Sequence, residues 1–112
     1  MSAPDPTTLN EIVHGRTRLS ILTVLANVSA MDFVVLRDQL SLSDGALSVA
    51  VKKLEEARLV KTSKFHADNK SRTSIALTAR GMHELHNYLD ALRAIIDTVP
   101  RDGEPPQAAG HG

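Results

Sequence analysis

The sequence has no cysteine in its 112 residues, which excludes disulfides, thiolate metal sites and a thiol nucleophile. It has no tryptophan, and its aromatic side chains are confined to Phe33, Phe65 and Tyr88. Three rings are too few for the stacking platforms on which single-strand nucleic-acid binders hold bases. No glycine-rich phosphate loop and no paired carboxylates in a cleft-forming pattern are present, so catalysis is not expected. There is no apolar run of membrane-spanning length and no secretory h-region, so the reading is a cytoplasmic protein without a membrane partner. Excess charge of either sign is also lacking: 13 basic residues balance 13 acidic ones.

The neutral total conceals an uneven distribution. Between positions 58 and 82, Arg58, Lys61, Lys64, Lys70, Arg72 and Arg80 face a single acid, Asp68, while the segments before and after are net acidic. A basic block of this length, about a β-hairpin plus a helix start, marks a local binding face rather than a globally basic protein.

The rest of the chain is organised around positions 43–56. Leu47, Ala50, Val51 and Leu54 recur at i, i+3, i+4 and i+7, the stripe of a helix with one buried face. Ser43, Asp44, Gly45, Ser48, Val49, Lys52 and Lys53 are left free. That free face starts with small residues, which permit close approach to a rigid surface, and continues with two lysines suited to a phosphate backbone. It reads as a DNA recognition helix. Ser43 is its expected N-cap, and Asp44 in the first turn complements the helix dipole.

At this length one domain is expected, with tails at 1–6 and 100–112 and an ordered part at 7–99. Thr7 or Thr8 can cap a short helix running to Val13. A longer helix follows Gly15, with Leu19, Leu22, Val24, Leu25 and Val28 on its apolar side. Arg16 and Arg18 at its start oppose the dipole, which implies partners elsewhere. Positions 32–40 form a two-turn helix, and a Ser-Leu-Ser turn leads into the 43–56 helix, completing a helix-turn-helix. Two alternating stretches, 59–65 and 73–77, flank a polar loop at 66–72, which predicts a β-hairpin whose loop directs Lys70 and Arg72 outward.

Thr78 caps a last helix, with Leu77 and Met82 placed as a hydrophobic staple. Met82, Leu85, Leu89, Leu92, Ile96 and Val99 are spaced 3, 4, 3, 4, 3, an a/d seam flanked by Tyr88 and Ile95. A helix over 78–99 spans about 33 Å at about 1.5 Å per residue, longer than a domain of this size covers with its own core. The simplest cover for the surplus is the same helix of a second chain, so these eight residues are the expected homodimer interface.

The expected architecture is therefore mainly α with a small β-hairpin, a winged helix-turn-helix with a long C-terminal dimerisation helix. The sequence resembles the small single-domain winged-helix transcriptional regulators related to the MarR, ArsR and PadR groups. The residues that carry the resemblance are Arg18-Leu19-Ser20-Ile21-Leu22 with Leu25, Phe33 with Leu36, the run from Leu40 through Ser48, Lys52-Lys53-Leu54-Glu55, and Leu77-Thr78 with Gly81. The resemblance implies a homodimeric regulator of transcription with the helix after Ser43 in the major groove and the hairpin as wing. Residues expected to meet DNA are Ser43, Asp44, Gly45, Ser48, Val49, Lys52 and Lys53 on the helix and Lys64, Lys70 and Arg72 on the wing. Two positions depart from the family pattern: Arg58 stands where glycine is usual, and Ala50 where a histidine is common.

His83, His86 and Asp90 occupy the helix on which some ArsR-type sensors hold metal, but they fall at b, e and b of the a/d register and diverge around the helix. No metal or cofactor is expected, and the sequence names no small-molecule effector. The alternative function is a winged-helix module that binds another protein instead of DNA, since fold alone does not decide between them. The coincidence of Lys52 and Lys53 with a basic wing favours double-stranded DNA. An exposed apolar patch on the recognition helix would favour protein, and Val49 is its lone candidate.

Overall fold

The computed structural model describes Val13 and residues 15–103. The expected short helix at 7–13 and most of both expected tails lie outside these residues. Val13 itself is completely buried. In chain order the elements are α1 (Arg16–Leu25), β1 (Met31–Asp32), α2 (Phe33–Gln39), α3 (Asp44–Glu56), β2 (Val60–Ala67), β3 (Lys70–Leu77) and α4 (Ala79–Ile96). The three strands form one antiparallel sheet in the order β1-β3-β2.

The core is a single apolar cluster. Ile21, Leu22 and Leu25 of α1, Leu36 of α2, Leu47 and Leu54 of α3, and Ile75 of β3 are its least accessible members. The stripe read from α3 is buried as expected: Leu47, Ala50, Val51 and Leu54 all face inward. Val28, expected on the apolar side of the preceding helix, instead lies beyond the end of α1 and is exposed.

β1 is a finding that periodicity alone does not yield. Met31 pairs with Ile75 and Asp32 with Ser74, so a two-residue strand closes the open edge of β3. Asp32 then changes role within one residue, because its side chain caps α2 by accepting from the Val34 N–H at 2.7 Å. Strand signals need several alternating residues, and here there are two.

Both helices of the helix-turn-helix end in the same way. Ser41 after α2 and Arg58 after α3 adopt left-handed φ values of 55° and 64°. In each case the following N–H reaches back to the sixth carbonyl, Leu42 to Arg37 at 3.0 Å and Leu59 to Leu54 at 2.9 Å. The preceding pairs, Ser41 to Asp38 and Arg58 to Glu55, complete two Schellman motifs at positions where glycine is usual. The backbone hydrogen bonds thus hold Arg58 in a conformation that an L-residue resists, and the helix terminates as it would with glycine. Replacing Arg58 by glycine is expected to stabilise the fold by about 0.5–1 kcal/mol, the left-handed penalty less the flexibility glycine restores to the unfolded chain. A thermal melt should rise by about 2–8 °C for a domain of this size. A lower midpoint would show that the Arg58 side chain makes an offsetting contribution.

α4 begins at a junction of three elements. Thr78 donates its backbone N–H to the Leu59 carbonyl at 3.0 Å and its hydroxyl to the Arg58 carbonyl at 2.7 Å. The same hydroxyl accepts from the Gly81 N–H at 2.9 Å, the N-cap expected from the sequence. The helix is shorter than the expected 78–99: it ends at Ile96, and Thr98 and Val99 continue in turns closed on the Ile95 and Ile96 carbonyls. The expected seam also divides. Leu85 and Tyr88 are 3% and 4% exposed and belong to the chain's own core, while Leu89 and Leu92 pack partly against it. Met82, Ile96 and Val99 remain exposed.

Candidate nucleic-acid interface

α3 is set as an outward-facing ridge. Its buried stripe fixes which residues point away, and Ser43, Asp44, Gly45, Ser48, Val49, Lys52 and Lys53 are all exposed. Ser43 caps the helix by accepting from the Ala46 N–H at 3.1 Å. A Cβ built on Gly45 meets no atom within 4 Å, so the start of the ridge is open to a large partner. Val49, 59% exposed, shares the outer face of this helix with three exposed polar residues, Ser48, Lys52 and Lys53. Between α1 and α3 lies an open groove of about 460 Å³ lined by Thr17, Arg18, Gly45, Ala46, Val49, Ala50 and Lys53. Ala50, where the resembling family often carries histidine, is a buried member of the stripe that also borders this groove.

An arginine that sequence reasoning did not single out organises the turn. Arg37, in the last turn of α2, donates from Nη1 to Asp44 Oδ1 at 2.7 Å, and from Nε to Asp38 Oδ1 at 2.9 Å. The Asp44 carboxylate, then that of Asp38, raises the pKa of the guanidinium further above its ordinary value. The signal available was an arginine and an aspartate seven residues apart across a short turn.

The wing differs from its expected form. The hairpin strands run on through the supposed loop, with Phe65 opposite Arg72, His66 opposite Ser71 and Ala67 opposite Lys70. Only Asp68 and Asn69 turn, both with left-handed φ (54° and 61°), the conformation of a two-residue hairpin turn. Arg72 therefore does not point outward from a loop. It sits in β3, 35% exposed, and its Nη1 donates to Asp32 Oδ2 at 3.3 Å. Burial works against ionisation of Asp32, but the Val34 N–H, Arg72 and the Val35 N–H together hold its carboxyl below the ordinary value.

Alternation along the strands separates the basic residues further. Lys64 shares a sheet face with Val60, Thr62 and Ile75, the side on which Thr62 donates to Glu55 of α3 at 2.6 Å. Lys70 and Arg72 share the opposite face with Ser74 and Asp32. The wing is thus basic on both faces near its tip rather than on one. On the Arg72 side a cleft of about 350 Å³ is lined by Asp32, Phe33, Val34 and residues 70–73. On α4, Asn87 and His83 form a hydrogen bond of 3.2 Å, and among the described residues no three metal-ligating side chains gather. No helix among the described residues is long and apolar enough to cross a membrane.

A helix-turn-helix whose second helix presents a polar, partly basic ridge, followed by a two-stranded basic hairpin and closed by a third short strand, defines a winged helix protein. Residues 17–96 match the family model described as winged helix DNA-binding domain, and the chain belongs to that family. It is 34% identical to a transcriptional regulator homologue from Pyrococcus horikoshii OT3, with a TM-score of 0.74 over 79% of this chain and 87% of that one. An uncharacterized protein of Methanocaldococcus jannaschii is 33% identical over 79 residues, covering 70% of this chain and 86% of the relative. The PcaV transcriptional regulator of Streptomyces coelicolor, solved with its natural ligand, shares the fold at 15% identity, with a TM-score of 0.69 over 81% of this chain and 63% of its own. By family the chain carries a winged helix DNA-binding domain, and it shares its fold with solved transcriptional regulators.

Proposed function

We propose that the protein is a cytoplasmic, nucleoid-associated, sequence-specific regulator of transcription that binds double-stranded DNA as a homodimer. In this reading α3 enters the major groove and the wing tip lies on the adjacent minor groove or its backbone. The observation that carries it is the ridge of α3: small and polar at its start, basic at Lys52 and Lys53, and flanked by a wing whose exposed basic residues, Lys61, Lys64 and Lys70, outnumber its one exposed acid, Asp68. A dimer of this kind needs half-site centres about 34 to 36 Å apart, or about 10 to 10.5 base pairs.

The ion pair on the wing decides which residue best tests it. Arg72 must leave Asp32 to reach DNA, so Arg72→Ala disturbs the β1 junction as well as any DNA contact. Lys70 is exposed and makes no ion pair among the described residues, so it reports on DNA alone. Lys70→Ala is expected to weaken binding to all duplexes alike and to lower the salt slope by about 0.9 for each phosphate that is no longer neutralised. Lys52→Ala is expected to cost about 1–3 kcal/mol on the preferred site and much less on random duplex. Affinities measured across a salt series on both duplexes separate positioning from reading. Binding that neither substitution alters on either duplex would move the function to protein recognition on the same frame.

A further inference from the structure

Asp44 is the one acidic group on the exposed face of α3 from its cap to Lys53, on a surface that otherwise suits a polyanion. It complements the helix dipole from the first turn but is not the cap, because the Ser43 hydroxyl already takes the Ala46 N–H. What the structure shows instead is a fixed carboxylate. Oδ1 accepts from Arg37 at 2.7 Å, and Arg37 is itself held by Asp38 through Nε and Nη2, both at 2.9 Å. The Asp44 side chain is nonetheless 72% exposed, and among the described residues its Oδ2 accepts no hydrogen bond. Among the described residues, no atom lies within 4 Å of a Cβ built on Gly45, the next residue.

An ionised carboxylate only accepts. The major groove offers it two donors, the exocyclic amines of cytosine and adenine, and adenine sets the N7 acceptor beside its amine. Guanine and thymine present acceptors where the carboxylate would lie, and phosphates repel it. Arg37 offsets the charge without covering Oδ2 and fixes the rotamer before DNA arrives, so little side-chain freedom remains to be lost on binding.

Building on the proposed function, we infer that Asp44 reads the exocyclic amine of a cytosine in each half-site and that Arg37 is the positioning residue for that contact. The pair selects for one base by hydrogen bonding and against the others by repulsion.

The test uses the full chain and selection from randomised duplexes, followed by titrations on the selected site and its single-base variants. Wild type should enrich a cytosine at one position of each half-site and lose about 5- to 150-fold in affinity when that C·G pair becomes T·A. Asp44→Asn, whose amide can donate as well as accept, should lose the cytosine preference and move toward adenine, with its melting midpoint serving as the folding control. Arg37→Met should keep the cytosine preference but shrink it severalfold, and Arg37→Lys should restore only part of it. Asp44→Asn selecting the same base at every position as wild type overturns the inference while leaving the proposed function standing. Wild type selecting no duplex over random sequence overturns both.

Discussion

Gly81→Ala should unfold a large share of the protein or remove about 3 kcal/mol or more of its stability. A Cβ at this position would lie within hard contact of the Leu59 carbonyl oxygen and carbon and 2.7 Å from Leu77 Cδ1. Two of those atoms are backbone, so a rotamer change cannot relieve the overlap. The Leu59 carbonyl is also engaged, because it accepts from the Thr78 N–H. To make room α4 must lift from the end of α3, breaking the Thr78 hydrogen bonds and opening the core at Leu85 and Tyr88. Against a total stability of about 5–10 kcal/mol for a domain of this size, the effect shows directly in a urea titration. A midpoint within error of wild type would mean that the approach of α4 to Leu59 is looser than the structure shows. Gly45→Ala is the matched control: Gly45 also lies in a helix, a Cβ there meets nothing, and alanine should be neutral or slightly stabilising.

Ile96→Glu combined with Val99→Glu should convert the proposed dimer to a monomer. These residues are 55% and 64% exposed, so charging them leaves the chain's own core intact. Leu92 is the poorer site for such a test because it packs partly against that core, and glutamate there would confound folding with assembly. A carboxylate trapped at an apolar seam without a partner costs several kcal/mol, and about 4 kcal/mol already weakens a dimer by about 10³-fold. Light scattering at micromolar concentration should report one chain, with an unchanged circular dichroism spectrum. A double variant that remains dimeric would place the interface on another face.

Much of the fold was legible because its signals are local and periodic. The apolar stripe of α3, the Ser43 and Thr78 caps and the alternation of the hairpin are each written within a dozen residues, and the structure has them where the pattern puts them. The features that were not legible depend on contacts between distant segments. Asp32 reads as a helix start, yet it is also a strand residue, because its partner Ser74 lies 42 positions away. The 66–72 stretch reads as a loop since turn formers dominate it, but only Asp68 and Asn69 adopt positive φ, and cross-strand pairing holds the rest extended. On α4 the 3-4 spacing marks an apolar face correctly without saying how much of that face the chain covers itself. The expected DNA-binding residues follow the same division. Those on α3 lie together on one exposed ridge, whereas Lys64 and Lys70 fall on opposite faces of the hairpin and Arg72 is tied to Asp32.

The junction of Arg58, Leu59, Thr78 and Gly81 has a consequence for the geometry of recognition. Hydrogen bonds there tie the residues that end α3 to the first turn of α4, which makes the two helices a bent arm with a fixed elbow. In the proposed dimer the partner grips the far end of α4, and the separation of the two reading helices is then fixed by the bend at this elbow and by the length of the arm. In that dimer, preference for a given distance between half-sites would be set by residues that touch no base. A change in the elbow angle alone would retune the protein to operators of a different spacing while leaving its choice of bases within each half-site as it was.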